Sequence, residues 1–411
     1  MNTKLHRQRV WFVSELYYPE LTSTGYFLTN IAEGIADTFD VSVLCCQPSY
    51  LSRGLRAPAH EIHNGVDIHR CWTTTLDKNK LLFKIINLFF ASLSMFLRGL
   101  ICFHRGDTVL SVSNPPPLLP YLMVLACRIK GARFALRVED VYPDVLTRVG
   151  LLKETSLVAR MMDRACRWLY RNSSLIIVLG RDVQALVRSK IDSGKDRVIV
   201  ATNWGDVRTI LPQPAASNRL LPKLNITNQF VAQYCGNIGR THGIEDITAA
   251  AELLKNEPDY RFLIIGWGAK KKWALSQKSD RQLDNLSILD PLPWNDFCDG
   301  LNACDVAIIS FSQGMSGISV PSRMYNVFAA GKPLIAVCDE NSELAQVVRE
   351  EAIGWVIPPG HPDLIVQVLK KARACPDELR TMGQRARLAA ESKYTLAHVL
   401  QSYHAIVASL S

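Results

Sequence analysis

The sequence predicts an α/β protein of two doubly wound domains, each an open parallel sheet covered by helices. Its 411 residues allow two cores at roughly 100–200 residues per domain. Short β-branched runs alternate with longer helical stretches in both halves, which is the pattern of repeated strand–helix units. Between the halves, residues 203–229 carry Pro212, Pro214 and Pro222 with little periodicity, as expected of a linker.

Ten short apolar runs are the predicted strands, and helical stretches separate them. They cover residues 10–14, 41–45, 108–112, 133–138 and 175–179 in the first half, and 230–234, 262–265, 287–289, 306–310 and 333–337 in the second. We therefore expect a first domain at residues 1–205 and a second at residues 206–390. The last stretch, after residue 376, predicts one or two helices.

The net charge of +9 lies in the first domain, because residues 1–205 hold 26 Lys and Arg against 17 Asp and Glu. That domain is expected to meet a membrane surface, a lipid phosphate or a nucleic acid. No nucleic-acid-binding motif is present, which argues against the last of these. The 11 cysteines never form Cys-x-x-Cys and mostly lie in apolar runs, so they predict core residues in a reducing cytoplasm.

Two segments of the first domain suggest contact with lipid. Residues 81–103 are strongly apolar but contain Lys84, Asn87 and Arg98, whereas a membrane span needs about 20 mostly uncharged residues. A spanning helix, an interfacial helix and a core helix all remain open. Further along, one helix face predicts a row of arginines opposite an apolar face, which fits either a solvated surface or anionic head groups. The row is Arg160, Arg164, Arg167 and Arg171, and the opposite face is Val158, Met162, Ala165 and Leu169.

Several familiar motifs are missing from the sequence. There is no G-x-x-x-x-G-K-[ST] and no G-x-G-x-x-G after the first strand, which argues against P-loop enzymes and dehydrogenases. No Asp-x-Asp pair offers carboxylates for a divalent cation, so we expect neither a metal nor a cofactor. Phosphate charge would then be met by backbone N–H groups, helix N-termini and basic side chains.

Three predicted strand ends in the second half supply such groups. Glycines at these turns let the backbone approach a phosphate, and hydroxyls at a helix start add donors. In a doubly wound sheet the carboxyl ends of the strands share one edge, so we expect the turns to form one anion site. Its candidate residues are Gly236, Asn237, Gly239 and Arg240; Gly266, Gly268 and Lys270; and Ser319, Val320, Pro321, Ser322 and Arg323. In the first half, Gly25 follows the first strand and is a further candidate.

These motifs resemble the retaining glycosyltransferases of family four, of the bacterial exopolysaccharide, O-antigen and colanic-acid type. The resemblance is carried by YCGNIGRTHGIEDITAAAELL, FLIIGWGAK and VPSRMYNVFAAGKPLIAV, and more weakly by SELYYPELTSTGYFLTNIAEGIA. It implies the GT-B architecture, with two Rossmann-like domains facing a cleft, the nucleotide sugar on the second and the acceptor on the first. It also implies that the last segment, residues 391–411, crosses back to the first domain.

In its second half, the sequence departs from the family pattern at four positions. Ile318 and Asn326 stand where the family carries a Glu-x7-Glu pair, of which the second Glu binds the ribose. The neutral Asn326 still offers a donor and an acceptor. Asn237 and His242 stand where an Arg and a Lys usually hold the diphosphate, so we expect Arg240 and Arg323 to supply that charge.

Asp140 and Glu139 follow the predicted strand at residues 133–138 and are the candidate catalytic carboxylates. Either would orient the acceptor hydroxyl or assist as a base, although the leaving diphosphate can itself take the proton. The resemblance thus implies transfer of a sugar from a nucleoside diphosphate, with retention, to a lipid-linked saccharide. This reaction would occur peripherally on the inner face of the cytoplasmic membrane. A sugar-nucleotide epimerase and a non-catalytic partner subunit are the alternatives.

Overall fold

The computed structural model describes residues 7–20, 22–48, 56–76, 81–113 and 118–410. Contacts divide the chain into two compact units, which fall within residues 1–143, 154–202 and 397–411 for the first and 144–153 and 203–396 for the second. The sequence placed residues 144–153 in the first domain, whereas the structure groups them with the second unit. Residues 397–411 group with the first unit.

The first unit contains an eight-stranded sheet in the order β3-β4-β2-β1-β5-β6-β7-β8. The β3–β4 pair is antiparallel, and every other neighbouring pair is parallel. The strands are β1 (Arg9–Val13), β2 (Asp40–Cys46), β3 (His60–His63), β4 (Val66–Cys71), β5 (Thr108–Val112), β6 (Arg133–Val138), β7 (Leu175–Val178) and β8 (Val198–Val200).

The second unit contains a six-stranded, wholly parallel sheet in the order β11-β10-β9-β12-β13-β14. Both faces of such a sheet must be covered, and its strands are accordingly almost continuous apolar runs. They are β9 (Phe230–Cys235), β10 (Tyr260–Ile265), β11 (Leu286–Leu289), β12 (Val306–Ser310), β13 (Leu334–Val337) and β14 (Gly354–Ile357).

Helices connect the strands of both sheets. In the first unit they are α1 (Ser23–Ile35), α2 (Leu81–Cys102), α3 (Leu119–Lys130), α5 (Leu157–Arg171), α6 (Arg181–Ser189) and α15 (Leu396–Ser409). In the second they are α4 (Asp144–Arg148), α7 (Leu220–Lys223), α8 (Ile244–Leu253), α9 (Lys271–Asp280), α10 (Trp294–Asn302), α11 (Arg323–Ala329), α12 (Glu343–Glu350), α13 (Pro362–Ala374) and α14 (Pro376–Ser392).

The C-terminal helix α15 packs into the first unit. The Gln8 amide donates to the Val407 carbonyl (3.2 Å), and a side chain at Gly34 of α1 would lie 2.5 Å from Leu400. This glycine therefore allows α1 and α15 to approach closely. The helix thus becomes part of the first core although it follows the whole second unit in sequence.

Helix α2 is long and apolar enough to cross a membrane by length and composition alone, a test that core helices also pass. Only 28% of the most apolar stretch of this helix is buried, so it is not a fully buried core helix. It packs on β2, β4 and α3, and α3 in turn packs on α5. The outward side of α2 keeps large apolar residues exposed: Leu82, Ile85, Phe89, Phe90, Leu97 and Ile101.

All ten predicted strands are present within one or two residues of their predicted ends. The sequence missed four others, β3, β4, β8 and β14. The β3–β4 hairpin turns at Asn64 and Gly65, which both have positive φ (46° and 82°), as the Asn-Gly turn of a tight hairpin requires. The two remaining strands are edge strands of three and four residues, too short for a clear pattern.

Candidate functional site

The main polar site lies at the carboxyl edge of the second sheet, between β9 and β12. The chain leaves β9 toward β10 on one side, while β12 pairs with β9 on the other, so this is the topological switch point. Hydrogen bonds join the two strand ends: Ser312 N–H donates to Thr241 O (2.9 Å), and the Ser310 hydroxyl donates to Gly243 O (2.8 Å). Ligands of doubly wound sheets bind at such a crevice.

Two glycine turns interlock at this edge. Gly236 follows β9 with φ 145°, and Gly266 follows β10 with φ 157°, backbone conformations that favour glycine. A side chain at Gly266 would lie 1.9 Å from Gly236 O, and one at Gly268 would lie 2.4 Å from Ile238 O. The glycines therefore bring two backbone turns into direct contact, as the sequence pattern suggested.

Arg323, the first residue of α11, reaches back over these turns. A side chain at Gly236 would lie 2.9 Å from Arg323 Nη1, so the glycine makes room for the guanidinium. Nη1 donates to the Tyr234 hydroxyl (2.6 Å), and the guanidinium carbon lies 4.5 Å from the centre of that ring. The Tyr234 hydroxyl in turn donates to Asn237 O (2.5 Å). The sequence analysis missed Tyr234, which lies inside a strand and resembles an ordinary core aromatic.

The remaining N–H groups of Arg323 have no acceptor. Its Nε and Nη2 atoms are buried and bond to nothing in the part of the chain that the structure describes. No carboxylate among the described residues forms an ion pair with this guanidinium. Buried N–H groups without an acceptor are costly, and two neighbouring N–H groups of one guanidinium fit the oxygens of a carboxylate or phosphate. The geometry therefore indicates an anion-binding site.

His242 contributes to the same edge as a neutral side chain. Burial, then the positive charges of Arg323 and Lys270, hold the pKa of His242 well below its usual value. Its Nδ1 accepts the N–H of Gly239 (3.2 Å), and the ring stacks on Phe311 at 5.3 Å. Because Nδ1 is an acceptor, the neutral ring carries its proton on Nε2. It can donate one hydrogen bond to an anion without adding charge.

The other predicted basic residues lie near the site but are placed differently. The Lys270 ammonium forms an ion pair with Glu245 (2.8 Å) and donates to His242 O (2.7 Å). Arg240 is exposed in the turn after β9. Asn237 is also exposed, and its amide lies against Gly239 and over Gly268. Arg323 is thus the cation that the fold holds in place without a carboxylate.

The segment before α11 places Ser319 and Ser322 half-buried, with Val320 and Pro321 buried. Asn326 lies half-buried one turn into α11, beyond Arg323. Ile318 is only 2% exposed, so an apolar core contact replaces the family carboxylate at this position. Gly25 lies in the first unit, where its N–H faces the Thr22 cap of α1 (3.4 Å) and is therefore not directed at a ligand.

The two candidate carboxylates of the first unit have different environments. Glu139 bonds to Arg137 (Oε1 to Nε, 2.7 Å), and Arg137 Nη1 also donates to the Tyr403 hydroxyl of α15 (2.5 Å). The Arg137 side chain is fully buried, so Glu139 neutralises a core cation. Glu139 therefore has a structural partner that the sequence analysis did not foresee.

Asp140 instead lines a cavity of about 250 Å³ at the carboxyl ends of β5 and β6. Helices α3 and α5 form its other walls, through Tyr121, Met162 and Leu169 among others. Of the two predicted carboxylates, Asp140 is the one that lines this cavity.

A cluster on the β3–β4 hairpin has the residue types of a metal site. The ligand atoms of His60, Asp67 and His69 lie within 4.8 Å of one another. Asp67 already contacts both rings, at 2.5 Å from His60 and 3.0 Å from His69. The hairpin is the far edge of the sheet from β6, so this cluster is separate from the cavity beside Asp140.

The arginine row of α5 is only partly available. Arg167 pairs with Asp163 (2.6 Å) and Arg171 with Asp192, whereas exposed Arg160 and Arg164 have no ion-pair partner among the described residues. The opposite face is not uniformly buried, because Val158 is 55% exposed. Met162, Ala165 and Leu169 of that face line the cavity.

A family model described as Glycosyl transferases group 1 matches residues 218–389. Over its whole length the chain is similar to a probable glycosyltransferase of Pseudomonas aeruginosa, WbjE, with 30% identity over 409 residues and 98% of both chains covered. It is also 23% identical, over 375 residues, to the putative colanic acid biosynthesis glycosyl transferase WcaI of Escherichia coli K12. That alignment covers 88% of this chain and 91% of the relative.

Solved structures show the same fold at low sequence identity. A sucrose-phosphate synthase of Thermosynechococcus elongatus superimposes with a TM-score of 0.78 at 15% identity, covering 98% of this chain and 99% of the other. HepE of Anabaena, in complex with UDP and glucose, superimposes with a TM-score of 0.74 at 13% identity, covering 98% and 100%. The two largely parallel sheets are therefore those of the GT-B fold.

Proposed function

The chain belongs to the group 1 glycosyltransferases, of the family-four type, and on that premise we propose that it transfers a sugar from a nucleoside diphosphate to an acceptor hydroxyl. The resemblance predicted from the sequence is confirmed at the level of family and fold. The substrates, the residues that bind them and the location of the reaction are our proposals.

The buried, unpartnered Nε and Nη2 of Arg323 carry the proposal for the donor. They lie beside the glycine turns after β9 and β10, at the sheet edge where doubly wound folds bind phosphates. Two oxygens of a phosphate would accept hydrogen bonds from these N–H groups, which have no acceptor among the described residues. The UDP and glucose bound to the structurally similar HepE support a nucleotide sugar as the ligand class. Asn326, one turn further along α11, is the candidate for the ribose.

Nucleotide binding and donor cleavage test this proposal together. We expect UDP or GDP to raise the melting temperature, since a ligand at a hundredfold excess over Kd stabilises by about 2.7 kcal/mol. With the matching nucleotide sugar and no acceptor, slow release of the nucleoside diphosphate is expected. Binding without any release, even with acceptor, would indicate a non-catalytic partner subunit. Absence of binding to every nucleoside diphosphate would contradict the proposal.

For the acceptor we propose a lipid-linked saccharide, with transfer that retains the anomeric configuration. Retention follows from the family resemblance, and the similarity to WcaI, whose name refers to colanic acid biosynthesis, favours an extracellular polysaccharide pathway. Asp140 would orient or deprotonate the acceptor hydroxyl. An NMR spectrum of the freshly formed product decides the anomeric question, because an inverted product would contradict the proposed mechanism.

We further propose that the first unit attaches peripherally to the anionic inner face of the cytoplasmic membrane. Exposed apolar residues on three neighbouring helices support this proposal, because large exposed apolar patches mark interaction surfaces. Besides those of α2, they are Leu125 and Ile129 of α3, and Leu157, Val158, Met161 and Trp168 of α5. We call these residues, together with the exposed apolar residues of α2 named above, the apolar helix face. Arg160 and Arg164 lie on the same exposed side of α5.

Vesicle flotation tests the attachment. Vesicles containing phosphatidylglycerol should bind the protein more tightly than vesicles of phosphatidylcholine alone, and less so at high salt. Each basic residue near the surface adds about 1 kcal/mol, so replacing Arg160 and Arg164 with Gln should weaken binding by roughly thirtyfold. Arg380→Gln, an exposed change in the second unit, is the matched control. Equal binding to both vesicle types would contradict the proposal.

A further inference from the structure

The cavity beside Asp140 has walls that are almost entirely apolar. It lies between α3 and α5 at the ends of β5 and β6 and encloses about 250 Å³. Its lining includes Leu118, Pro120, Tyr121, Met162, Ala165 and Leu169. Asp140 is the one carboxylate among the lining residues that the structure describes. A pocket that takes only a saccharide would instead present several polar groups to its hydroxyls.

The few polar groups in the walls are satisfied or neutral. The Tyr121 hydroxyl donates to Cys166 Sγ (3.6 Å), and burial raises the pKa of Tyr121. Burial, with the nearby charge of Asp140, likewise raises the pKa of Tyr142. Apart from Asp140, these walls therefore stay uncharged at physiological pH. Sugar hydroxyls placed against them would lose hydrogen bonds to water without replacement, whereas a hydrocarbon would gain by leaving water.

The size of the cavity fits a short length of hydrocarbon. An apolar cavity of about 150 Å³ in another protein accepts benzene, a ring of six carbons. By the same ratio, 250 Å³ accommodates about ten carbons. The cavity opens to solvent, so a longer chain can continue outward from it.

The walls of the cavity are continuous with the apolar helix face. Tyr121, which lines the cavity, stacks on Trp168, a member of that face, with ring centres 6.2 Å apart. Helix α5 presents Met162 and Leu169 to the cavity and Leu157 and Met161 to the outside. A lipid chain leaving the cavity between α3 and α5 would therefore meet exposed apolar side chains rather than a polar surface.

We propose that this cavity binds the hydrocarbon chain of the lipid-linked acceptor, specifically the segment of about ten carbons next to its phosphorylated head group. This inference rests on the proposed function and specifies the part of the acceptor that the first unit recognises. The chain enters between α3 and α5, and Asp140 marks the polar end of the cavity. Lipid recognition and the reacting carboxylate thus share one set of walls.

Geranyl diphosphate, which carries ten carbons, is the probe, and inorganic diphosphate is its matched head group. Both are titrated in solution without vesicles, with the nucleoside diphosphate that binds the protein best present at saturation so that the donor site is occupied. We expect geranyl diphosphate to bind at least tenfold more tightly than inorganic diphosphate. Equal affinities for the two probes would overturn the proposal.

Ala165→Phe fills the cavity and should weaken geranyl diphosphate binding at least tenfold, with nucleotide affinity unchanged. Met161→Phe, on the outer side of the same helix, is the control and should leave geranyl diphosphate binding unchanged. If Ala165→Phe fails to fold, Met162→Trp replaces it. If the cavity variants bind geranyl diphosphate as tightly as the wild type, or if only Met161→Phe weakens its binding, the hydrocarbon chain binds on the outer face of α5 and the cavity proposal is wrong. If no nucleotide binds the wild-type protein, the proposed function fails; if only geranyl diphosphate fails, the cavity proposal alone is wrong.

Discussion

Two arginines lie near the carboxyl ends of the two sheets, and their surroundings differ. Arg137, in β6 of the first unit, bonds to the carboxylate of Glu139 and the hydroxyl of Tyr403. Arg323, over β9 of the second unit, bonds to the hydroxyl of Tyr234 but to no carboxylate among the described residues, and two of its N–H groups are left over. Both contact a tyrosine hydroxyl, but Arg137 is fully buried and bonded to a carboxylate, whereas Arg323 is half-buried.

This difference separates a structural cation from a binding cation. A buried arginine with its own carboxylate stabilises the fold around it, and removing the partner is costly. Arg323 is half-buried and donates to a neutral hydroxyl and a backbone carbonyl, so its charge is left for a ligand. At the first sheet edge the positive charge of Arg137 is therefore neutralised by Glu139. The second carboxylate of that edge, Asp140, lines an apolar cavity. The second sheet edge presents the positive charge of Arg323 beside two glycine turns.

Asp140→Asn should produce the largest loss. The substitution keeps the size of the side chain but removes the carboxylate that orients or deprotonates the acceptor. General-base assistance is worth about 10²–10⁴-fold, so kcat with a defined acceptor should fall within that range while nucleotide affinity stays unchanged. A variant with wild-type kcat and KM would move the catalytic group elsewhere.

Glu139→Gln should act on stability rather than on chemistry. It leaves the fully buried Arg137 guanidinium without its carboxylate, and breaking a buried ion pair costs about 3–5 kcal/mol. The free energy of unfolding, measured with denaturant, should fall by roughly that amount. The folded fraction should retain its kcat. A kcat loss as large as that of Asp140→Asn, with normal stability, would show that the two carboxylates have been assigned in the wrong order.

Tyr234→Phe tests how Arg323 is held. The ring beneath the guanidinium remains, but the hydroxyl that accepts from Nη1 is lost. A hydrogen bond to a charged group contributes about 1.5–3 kcal/mol, and part of this should be recovered by rearrangement, so nucleotide affinity should fall by roughly three- to tenfold. Tyr260→Phe, on the neighbouring strand, is the control for loss of a hydroxyl. An equal effect in both variants would remove the special role of Tyr234.

His242 should make stability depend on pH in a defined direction. Its folded pKa is lowered, so below about pH 6.5 the unfolded chain takes up a proton that the folded chain does not. The contribution is therefore nil above that pH and destabilising below it, by about 1 kcal/mol near pH 5.5. The difference in unfolding free energy between wild-type protein and His242→Gln should shrink accordingly on acidification. A difference that is constant from pH 7.5 to 5.5 would show that His242 is not buried as a neutral ring.

The sequence predicted the strands that lie inside the sheets and the glycine turns at their ends, because burial and backbone conformation are local properties. It also predicted that Arg323 lies at a helix start after a hydroxyl-rich turn, where the structure has it. The groups that bond to the charged side chains were harder to predict, because they can be far away in sequence. Tyr403, which bonds to Arg137, is 266 residues away. The Arg137–Glu139 pair had a usable signal, since side chains two residues apart on a strand point to the same face.

The environment of helix α2 could not be predicted from the sequence. Its composition fits a span, an interfacial helix and a core helix alike, and only its packing on β2, β4 and α3 shows which side stays exposed. The cavity beside Asp140 was equally inaccessible from the sequence. Its walls come from α3, α5 and two strand ends, and each contributes apolar residues that would suit any core.

Calorimetric titration of the nucleoside diphosphate into wild-type protein, Arg323→Gln and the exposed control Arg380→Gln tests the central claim most directly. Hydrogen bonds to a charged partner contribute about 1.5–3 kcal/mol each, so Arg323→Gln should weaken binding by roughly ten- to a hundredfold. Arg380→Gln should leave the affinity within about twofold, since an exposed ion pair contributes little. If Arg323→Gln is folded and binds the nucleotide as tightly as the wild type, the unpartnered N–H groups of Arg323 are not the diphosphate site.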